Sequence, residues 1–227
     1  MAIILHLDTS GPTGIAMLAK DGRPIASRLS EGEREHAGHI NGLVRSVLEE
    51  AGIRLADIDA VAVCNGPGSY TGLRIGLATA KGYCFVLKKP LILHTRLDLM
   101  LREAKLLFPD TTNLVAILPA RAGEYYAAAS GIFPQSPTHV TIHSLIHILQ
   151  KSGQELGIIG RIGDDLLSAT SSNRIKFVEH QVLNEAAWAD ATGGTFSSGN
   201  FADVAYAEPE YLKPAFITSR RQDSKNG

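Results

Sequence analysis

Residues 60 to 87 contain a short apolar run, a glycine-rich loop and a long apolar segment, in that order. The run AVAVC at 60–64 predicts a buried strand, and the loop NGPGSYTGLRIG at 65–76 leads into a helix predicted from about 71 to 87. A strand followed by a tight loop and a helix is the unit from which helix-covered parallel sheets are built. This unit predicts an α/β fold.

The rest of the first hundred residues adds a hairpin and a second helix to this unit. An Asp21-Gly22 turn predicts a β-hairpin, and Gly52 ends an amphipathic helix predicted over 35–51. The predicted strands of this region are 3–7, 14–18, 23–28 and 91–95. We therefore predict a first lobe at 1–103 that contains a mixed sheet flanked by helices.

The second half of the chain continues the alternation more weakly. After a predicted crossover at 102–112, strands are predicted at 114–118, 125–132, 156–160 and 175–178, and helices at 143–150 and 164–169. We predict a smaller, divergent second lobe at 104–215, whose last segment is a candidate to return to the first lobe, and a disordered tail at 216–227. The sequence shows no internal repeat of fixed period.

Composition excludes several classes of protein. With 44% hydrophobic residues, 20% charged residues and a formal net charge of −1, the chain is typical of a globular protein and lacks the basic excess of a dedicated nucleic-acid binder. No apolar run is long enough to span a membrane, and MAIILHLDTS reads as a strand rather than a signal peptide. Cys64 and Cys84 lie in apolar stretches, which favours reduced core thiols and a cytoplasmic location.

The glycine loop does not have the spacing of the known phosphate-binding loops. No glycine is followed by Lys-Ser or Lys-Thr, as a Walker loop requires. Gly66, Gly68 and Gly72 are spaced G-x-G-x-x-x-G, one residue longer than the dinucleotide fingerprint. Anion binding by the backbone at the start of the helix stays open as an alternative.

Glycines inside the two predicted helices suggest contact with another helix. Gly38 and Gly42 lie opposite the apolar face of the first helix, where a glycine costs about 1 kcal/mol relative to alanine. Gly72, Gly76 and Tyr83 share a seam on the second helix. We predict that both helices pack against a partner chain through Gly38, Asn41, Gly42, Arg45, Gly72, Gly76, Thr79, Ala80 and Tyr83.

Three segments resemble a known family. They are LHLDTS near the start, CNGPGSYTGLRIGLATAKGYCF at 64–85 and AEPEYLK at 207–213. Together they are similar to the TsaB family, also called YeaZ, whose members are required to make N6-threonylcarbamoyladenosine beside the tRNA anticodon. The similarity is dense over the first hundred residues and sparse afterwards.

The resemblance implies a fold and a role. The fold is a two-lobed actin/hexokinase/Hsp70-like (ribonuclease H-like) α/β fold. The role is that of a non-catalytic scaffold that binds the TsaD transferase through helices of the first lobe, binds the TsaE ATPase, and forms a homodimer when alone. The resemblance also implies that the chain has no cofactor of its own and that ATP or ADP binds at most at an interface of the complex. It implies that contact with tRNA is indirect or weak and that the protein does not associate with a membrane.

A degenerate nucleotide site is a further expectation. Actin-type sites begin with Asp-x-Gly-Thr or similar, and here Asp8-Thr9-Ser10 places a serine where the glycine would admit phosphate. Gly160 and Gly163 are candidates for a second loop of that site, although a plain strand-to-helix turn explains them too. The alternative function, a stand-alone actin-fold ATPase or kinase, would require that glycine and a second catalytic acid.

Other candidates have ordinary explanations. His143 and His147 are four residues apart on a predicted helix, but no third metal ligand is evident, so we predict no metal site. His36 and His39 are interpreted as surface or capping residues. Ser69 has no evident base, which makes a glycoprotease the least favoured function. In LPARAGEYY, Arg121 and Glu124 match the family, whereas Leu118-Pro119-Ala120 lacks the acidic residue common there.

Overall fold

The computed structural model describes residues 1–30, 36–121, 123–131, 136–151, 153, 155–161, 163–169, 174–180 and 182–213. The predicted tail at 216–227 lies outside the described residues. None of the described helices is long and apolar enough to cross a membrane.

The first sheet has five strands in the order β3-β2-β1-β4-β5. They are β1 (Ile3–Asp8), β2 (Ile15–Lys20), β3 (Arg23–Leu29), β4 (Ala60–Gly66) and β5 (Leu91–Thr95). Strand β1 pairs antiparallel with β2 and parallel with β4, so the sheet is mixed, as predicted. The hairpin between β2 and β3 turns at Asp21 and Gly22, both of which have positive φ.

The second sheet repeats this arrangement. It contains β6 (Asn113–Pro119), β7 (Glu124–Ser130), β8 (Thr138–Thr141), β9 (Leu156–Gly160) and β10 (Ile175–Glu179) in the order β10-β9-β6-β7-β8. Strands β6, β7, β8, β9 and β10 thus correspond to β1, β2, β3, β4 and β5. The two lobes share one topology, although no repeat is visible in the sequence.

Six α-helices, counted over the described residues, form three layers around the two sheets. They are α1 (His36–Ala51), α2 (Tyr70–Leu87), α3 (Arg96–Leu107), α4 (Ile142–Lys151), α5 (Asp164–Ala169) and α6 (Glu185–Ser198). Helices α1 and α2 cover the outer face of the first sheet, and α4 and α5 cover the outer face of the second. Helices α3 and α6 lie between the sheets, where Leu97, Met100 and Trp188 join strands of both lobes in one core.

Sequence reasoning missed three elements of this fold. It placed a crossover at 102–112, but α3 continues to Leu107, with Thr95 as its N-cap residue. It also missed β8 and α6. Helix α6 lies between layers and buries Ala187, Trp188, Ala189, Ala191 and Thr192. A helix buried on several sides has no clear amphipathic period, and Gly193-Gly194 resembles a loop.

Candidate functional site

The glycine-rich loop joins β4 to α2 and holds the start of that helix. Ser69 is the N-cap residue, and its Oγ accepts a hydrogen bond from the Gly72 N–H at 3.2 Å. The Ser69 N–H donates to the Ser10 carbonyl at 2.8 Å. The loop is therefore attached to the turn between β1 and β2 by a backbone hydrogen bond.

The glycines of the loop and of α2 face this same turn. A Cβ at Gly68 would lie 2.3 Å from the Ser10 carbonyl oxygen, and one at Gly72 would lie 2.0 Å from the Thr9 carbonyl oxygen. A Cβ at Gly76 would lie 2.3 Å from the Thr9 Oγ1. The Thr9 hydroxyl donates to the Gly72 carbonyl at 2.6 Å. Gly68 and Gly72 are needed because the β1–β2 turn places backbone carbonyl oxygens too close for a side chain, and Gly76 makes room for the Thr9 hydroxyl.

This geometry corrects part of the predicted partner interface. Gly72, Gly76 and Ala80 are buried inside the first lobe, so a partner chain cannot reach them. The helical period correctly placed Gly72 and Gly76 on one side of α2. That side, however, faces the β1–β2 turn of the same chain.

The carboxylate of Asp8 is paired with an arginine that sequence reasoning missed. Arg96, the first residue of α3, places Nη1 3.0 Å from Asp8 Oδ2 and donates to Ser10 Oγ at 2.9 Å. The Ser10 N–H donates to Asp8 Oδ1 at 2.7 Å. All three side chains are buried. The polar atoms of the predicted degenerate nucleotide site therefore hydrogen-bond to one another.

Arg96 fills the space beside this turn. A Cβ at Gly11 would lie 2.4 Å from Arg96 Nη1, so the guanidinium packs directly against the glycine backbone. Burial, followed by the charge of Asp8, raises the pKa of the neighbouring Cys64 thiol to about 12. Since the thiolate is the nucleophilic form, Cys64 is not set up for covalent catalysis.

A cleft of about 700 Å³ opens between the lobes next to Arg96. The first lobe contributes residues 10–13 and 67–69, and the second contributes Tyr126, Arg161, Glu179 and His180. His180 is buried, and its Nε2 lies 3.3 Å from Glu103 Oε2. The sequence offered no signal for His180, because it follows a short strand and belongs to no motif.

Gly160 and Gly163, the candidates for a second nucleotide loop, each have a structural contact in the second lobe. A Cβ at Gly160 would lie 2.1 Å from the Ile117 carbonyl oxygen, so this glycine allows β9 to lie against β6. The Gly163 N–H donates to the Tyr125 hydroxyl at 3.3 Å. Of the described residues in this segment, Gly160, Arg161 and Gly163, only Arg161 lines the cleft. The ordinary strand-to-helix explanation fits both glycines.

The candidate histidines lie away from the cleft. His143 and His147 are exposed on α4, and His39 is exposed on α1; of His36, only its place at the start of α1 is described. Among the residues that the structure describes, no group of three or more His, Cys, Asp and Glu is arranged to hold a metal ion.

The outer surface of α1 and α2 differs from the cleft in exposing large apolar side chains to solvent. Phe85 and Val86 have exposed fractions of 80% and 76%. Gly42 on α1 and Gly82 on α2 have no atom within 4 Å of a built Cβ. We call this surface the α1–α2 face, and it comprises Gly42, Arg45, Ala78, Gly82, Phe85 and Val86.

Three other predicted interface residues border this face. The Tyr83 hydroxyl donates to Asn41 Oδ1 at 2.7 Å and links the two helices, and Thr79 is half-buried beside them. Burial raises the pKa of Tyr83. A hollow of about 410 Å³ lies at the end of α1, lined by Val44, Leu48, Ile53, Leu55 and Tyr83 among others. Of Gly38, only its position in α1 is described.

Comparisons with known proteins relate most of the chain to one group. The family model described as TsaD: tRNA N6-adenosine threonylcarbamoyltransferase matches residues 30–145. The tRNA threonylcarbamoyladenosine biosynthesis protein TsaB of Escherichia coli is 34% identical over 55% of this chain and 53% of its own length. A tRNA N6-adenosine threonylcarbamoyltransferase of Zymomonas mobilis is 32% identical over 58% of this chain and 44% of its own length. The chain thus spans about half the length of the curated relatives that it matches.

A solved structure matches almost the whole chain. It is a protein of Pseudomonas aeruginosa described as similar to the peptidase YeaZ, with a TM-score of 0.76 and 24% identity over 94% of this chain and 100% of that one. At this identity the match concerns the fold. The two-lobed α/β fold predicted from the sequence is confirmed.

Proposed function

We propose that this chain, which belongs to the TsaD: tRNA N6-adenosine threonylcarbamoyltransferase family and is related to its TsaB (YeaZ) members, is a non-catalytic scaffold subunit. It would bind a TsaD-type transferase and a TsaE-type ATPase in the complex that installs N6-threonylcarbamoyladenosine beside the tRNA anticodon. Alone it would form a homodimer, and it would act in the cytoplasm, where tRNA is modified.

The α1–α2 face is the observation that carries this proposal. Phe85 and Val86 are large apolar side chains that are almost fully exposed. Ala78 and Gly82 follow the same exposed side of α2, and Gly42 is open on α1. Apolar anchors beside small residues are typical of a surface on which another helix packs closely.

The Asp8–Arg96 pair supports the non-catalytic part of the proposal. In an actin-type site the first aspartate must handle a metal-bound water, and phosphate must approach the adjacent turn. Here Asp8 is neutralised by a buried guanidinium, and Gly11 is covered by the same group. We expect no ATP site within this chain alone, and place any ATP or ADP at an interface of the complex.

Contact with tRNA would be indirect or weak. The formal net charge of −1 provides little of the electrostatic attraction that dominates nucleic-acid binding. The partner subunits would therefore supply most of the tRNA contact.

Gly82→Leu tests the proposal. The leucine enters open space in this chain and improves helix propensity, so the variant should fold with at least the native stability. On a helix that packs against a partner, the same leucine should weaken binding at least about tenfold. Sedimentation velocity and titration calorimetry with the TsaD-type protein of the same organism measure the association.

Gly194→Leu is the matched control, because Gly194 is also an exposed helical glycine with no atom within 4 Å, but on α6. The proposal is overturned if both variants bind as the native chain does, or if the native chain ignores the transferase. ATP hydrolysis by the purified chain alone would instead favour the stand-alone ATPase.

A further inference from the structure

The segment that follows α6 runs back across both lobes. We call residues 201–213 the strap. Its Ala202 N–H donates to the Leu91 carbonyl at 2.8 Å, beside the edge strand β5 of the first sheet. Lys81 on α2 then donates to the carbonyls of Ala205 and Ala207 at 3.1 and 3.0 Å. The strap thus begins as an extension of the first lobe.

The middle of the strap is attached to the glycine-rich loop. The Glu210 N–H donates to the Asn65 carbonyl at 2.8 Å. A Cβ at Gly66 would lie 2.7 Å from the Glu210 carbonyl oxygen, so this glycine makes room for the strap. The segments NGPGSYTGLRIG and AEPEYLK, distant in sequence, are therefore neighbours in the fold.

An aromatic and cationic stack reinforces this attachment. Arg74 Nε donates to the Tyr211 hydroxyl at 3.0 Å, and the Arg74 guanidinium lies 3.9 Å from the centre of the Tyr70 ring. The Tyr70 and Tyr211 rings are 5.2 Å apart. Cation–π contacts and aromatic pairs of this kind are attractive in addition to the apolar area that they bury. Tyr211 is thus anchored on the first turns of α2.

The end of the strap reaches the second lobe. Leu212 packs against the core between the sheets, and Lys213 forms an ion pair with Glu124 at the start of β7. His139 on β8 lies 3.1 Å from the same carboxylate. Lys213, followed by His139, lowers the pKa of Glu124, which keeps the carboxylate charged.

We propose that the strap is a clasp that fixes the angle between the lobes, and therefore the width of the cleft. Tyr211 attaches it to the first lobe and Lys213 to the second, only two residues further on. Because Arg74 belongs to α2, the clasp also connects the helix of the α1–α2 face to the second sheet. The inference does not depend on the proposed function, since it concerns the isolated chain.

Distances between two spin labels test the clasp. Ala56→Cys, in the short turn at Leu55–Asp57, labels the first lobe, and His147→Cys on α4 labels the second; both positions are exposed, whereas Cys64 and Cys84 are buried. In this labelled chain, Lys213→Met should broaden the distance distribution about twofold, because one end of the clasp is released. The matched control is Lys20→Met, an exposed lysine of β2.

A charge exchange separates the clasp from a general loss of structure. Lys213→Glu combined with Glu124→Lys should return the distribution to nearly its native width, measured at pH 8. The inference is overturned if the distance distribution of Lys213→Met is as narrow as that of Lys20→Met. It is also overturned if the distribution of the charge-exchanged variant stays as broad as that of Lys213→Met while circular dichroism reports a native fold.

Discussion

Strands β1 to β5 and strands β6 to β10 follow the same order, yet the helices around the two sheets differ. In the first lobe, α1 and α2 have 16 and 18 residues, whereas their counterparts α4 and α5 have 10 and 6. The longer helices carry the glycine-rich loop and the α1–α2 face. The same strand topology is therefore covered by two long helices in the first lobe and by two short helices in the second.

The connection that follows the central parallel strand shows the difference most clearly. After β4, glycines at 68, 72 and 76 let the loop and helix touch the β1–β2 turn. After β9, the Tyr125 hydroxyl, 3.6 Å away, is the one atom of the described residues within 4 Å of a Cβ at Gly163. Among the described residues, close approach between the strand turn and the helix that follows the central strand is thus found in the first lobe, and the topology does not require it.

The largest expected difference between the lobes is a response to acid. Burial, followed by the charge of His94, lowers the pKa of His6 to about 3, and burial, followed by Arg102, lowers that of His94 to about 4. Below pH 6.5 the unfolded chain takes up protons that the folded first sheet excludes. The free energy of unfolding should therefore fall by up to about 1.4 kcal/mol per pH unit for each histidine, or about 5 kcal/mol between pH 6.5 and 4.5.

Urea unfolding at several pH values measures this slope. His6→Gln with His94→Gln should flatten it, whereas His147→Gln on the exposed side of α4 should leave it unchanged. An unaltered slope in the double variant would show that the acid response arises elsewhere.

The next effect concerns two arginines that line the same cleft. Arg96→Met leaves the buried Asp8 carboxylate unpaired and should lower the free energy of unfolding by about 3–5 kcal/mol. Arg161→Met, at an exposed position of the second lobe, should change it by less than about 0.5 kcal/mol. Asp8→Asn added to Arg96→Met should recover part of the loss in thermal or urea unfolding. Equal stability of the two single variants would contradict the pairing.

The smallest expected effect concerns the glycines in the connections that precede α2 and α5. Gly72→Ala places a methyl group 2.0 Å from the Thr9 carbonyl oxygen, which outweighs the gain in helix propensity. We expect a loss of about 2–3 kcal/mol, against less than about 0.5 kcal/mol for Gly163→Ala. Chemical denaturation measures both. Comparable losses would mean that the second lobe is packed as tightly as the first.

The sequence predicted correctly the elements that have a clear hydrophobic periodicity or a clear terminating residue. The hairpin at Asp21-Gly22, the end of α1 before Gly52 and strands β5 and β9 were placed within a residue or two. Helix α6 was missed because it lies between the two sheets, where burial on several sides removes the amphipathic signal. Helix α3 has a buried side and an exposed side, but it begins directly after β5, and the chain there was assigned to a crossover.

The candidate site was less predictable for a different reason. A helical period tells which residues of α2 share a side, but it does not tell whether that side faces the same chain or a partner. Gly72 and Gly76 were therefore assigned to a partner although they face Thr9, while Gly82, which is open, was overlooked. Arg96 had no signal at all, because its pairing with Asp8 joins residues 88 positions apart.

The Asp8–Arg96 pair has a consequence for how the protein responds to its surroundings. A bound metal ion is exchangeable and is lost to chelators, and a bound nucleotide follows the energy state of the cell. The guanidinium of Arg96 is covalently part of the chain and remains charged at every physiological pH. The charge that offsets Asp8 at the base of the cleft is therefore supplied by the chain itself.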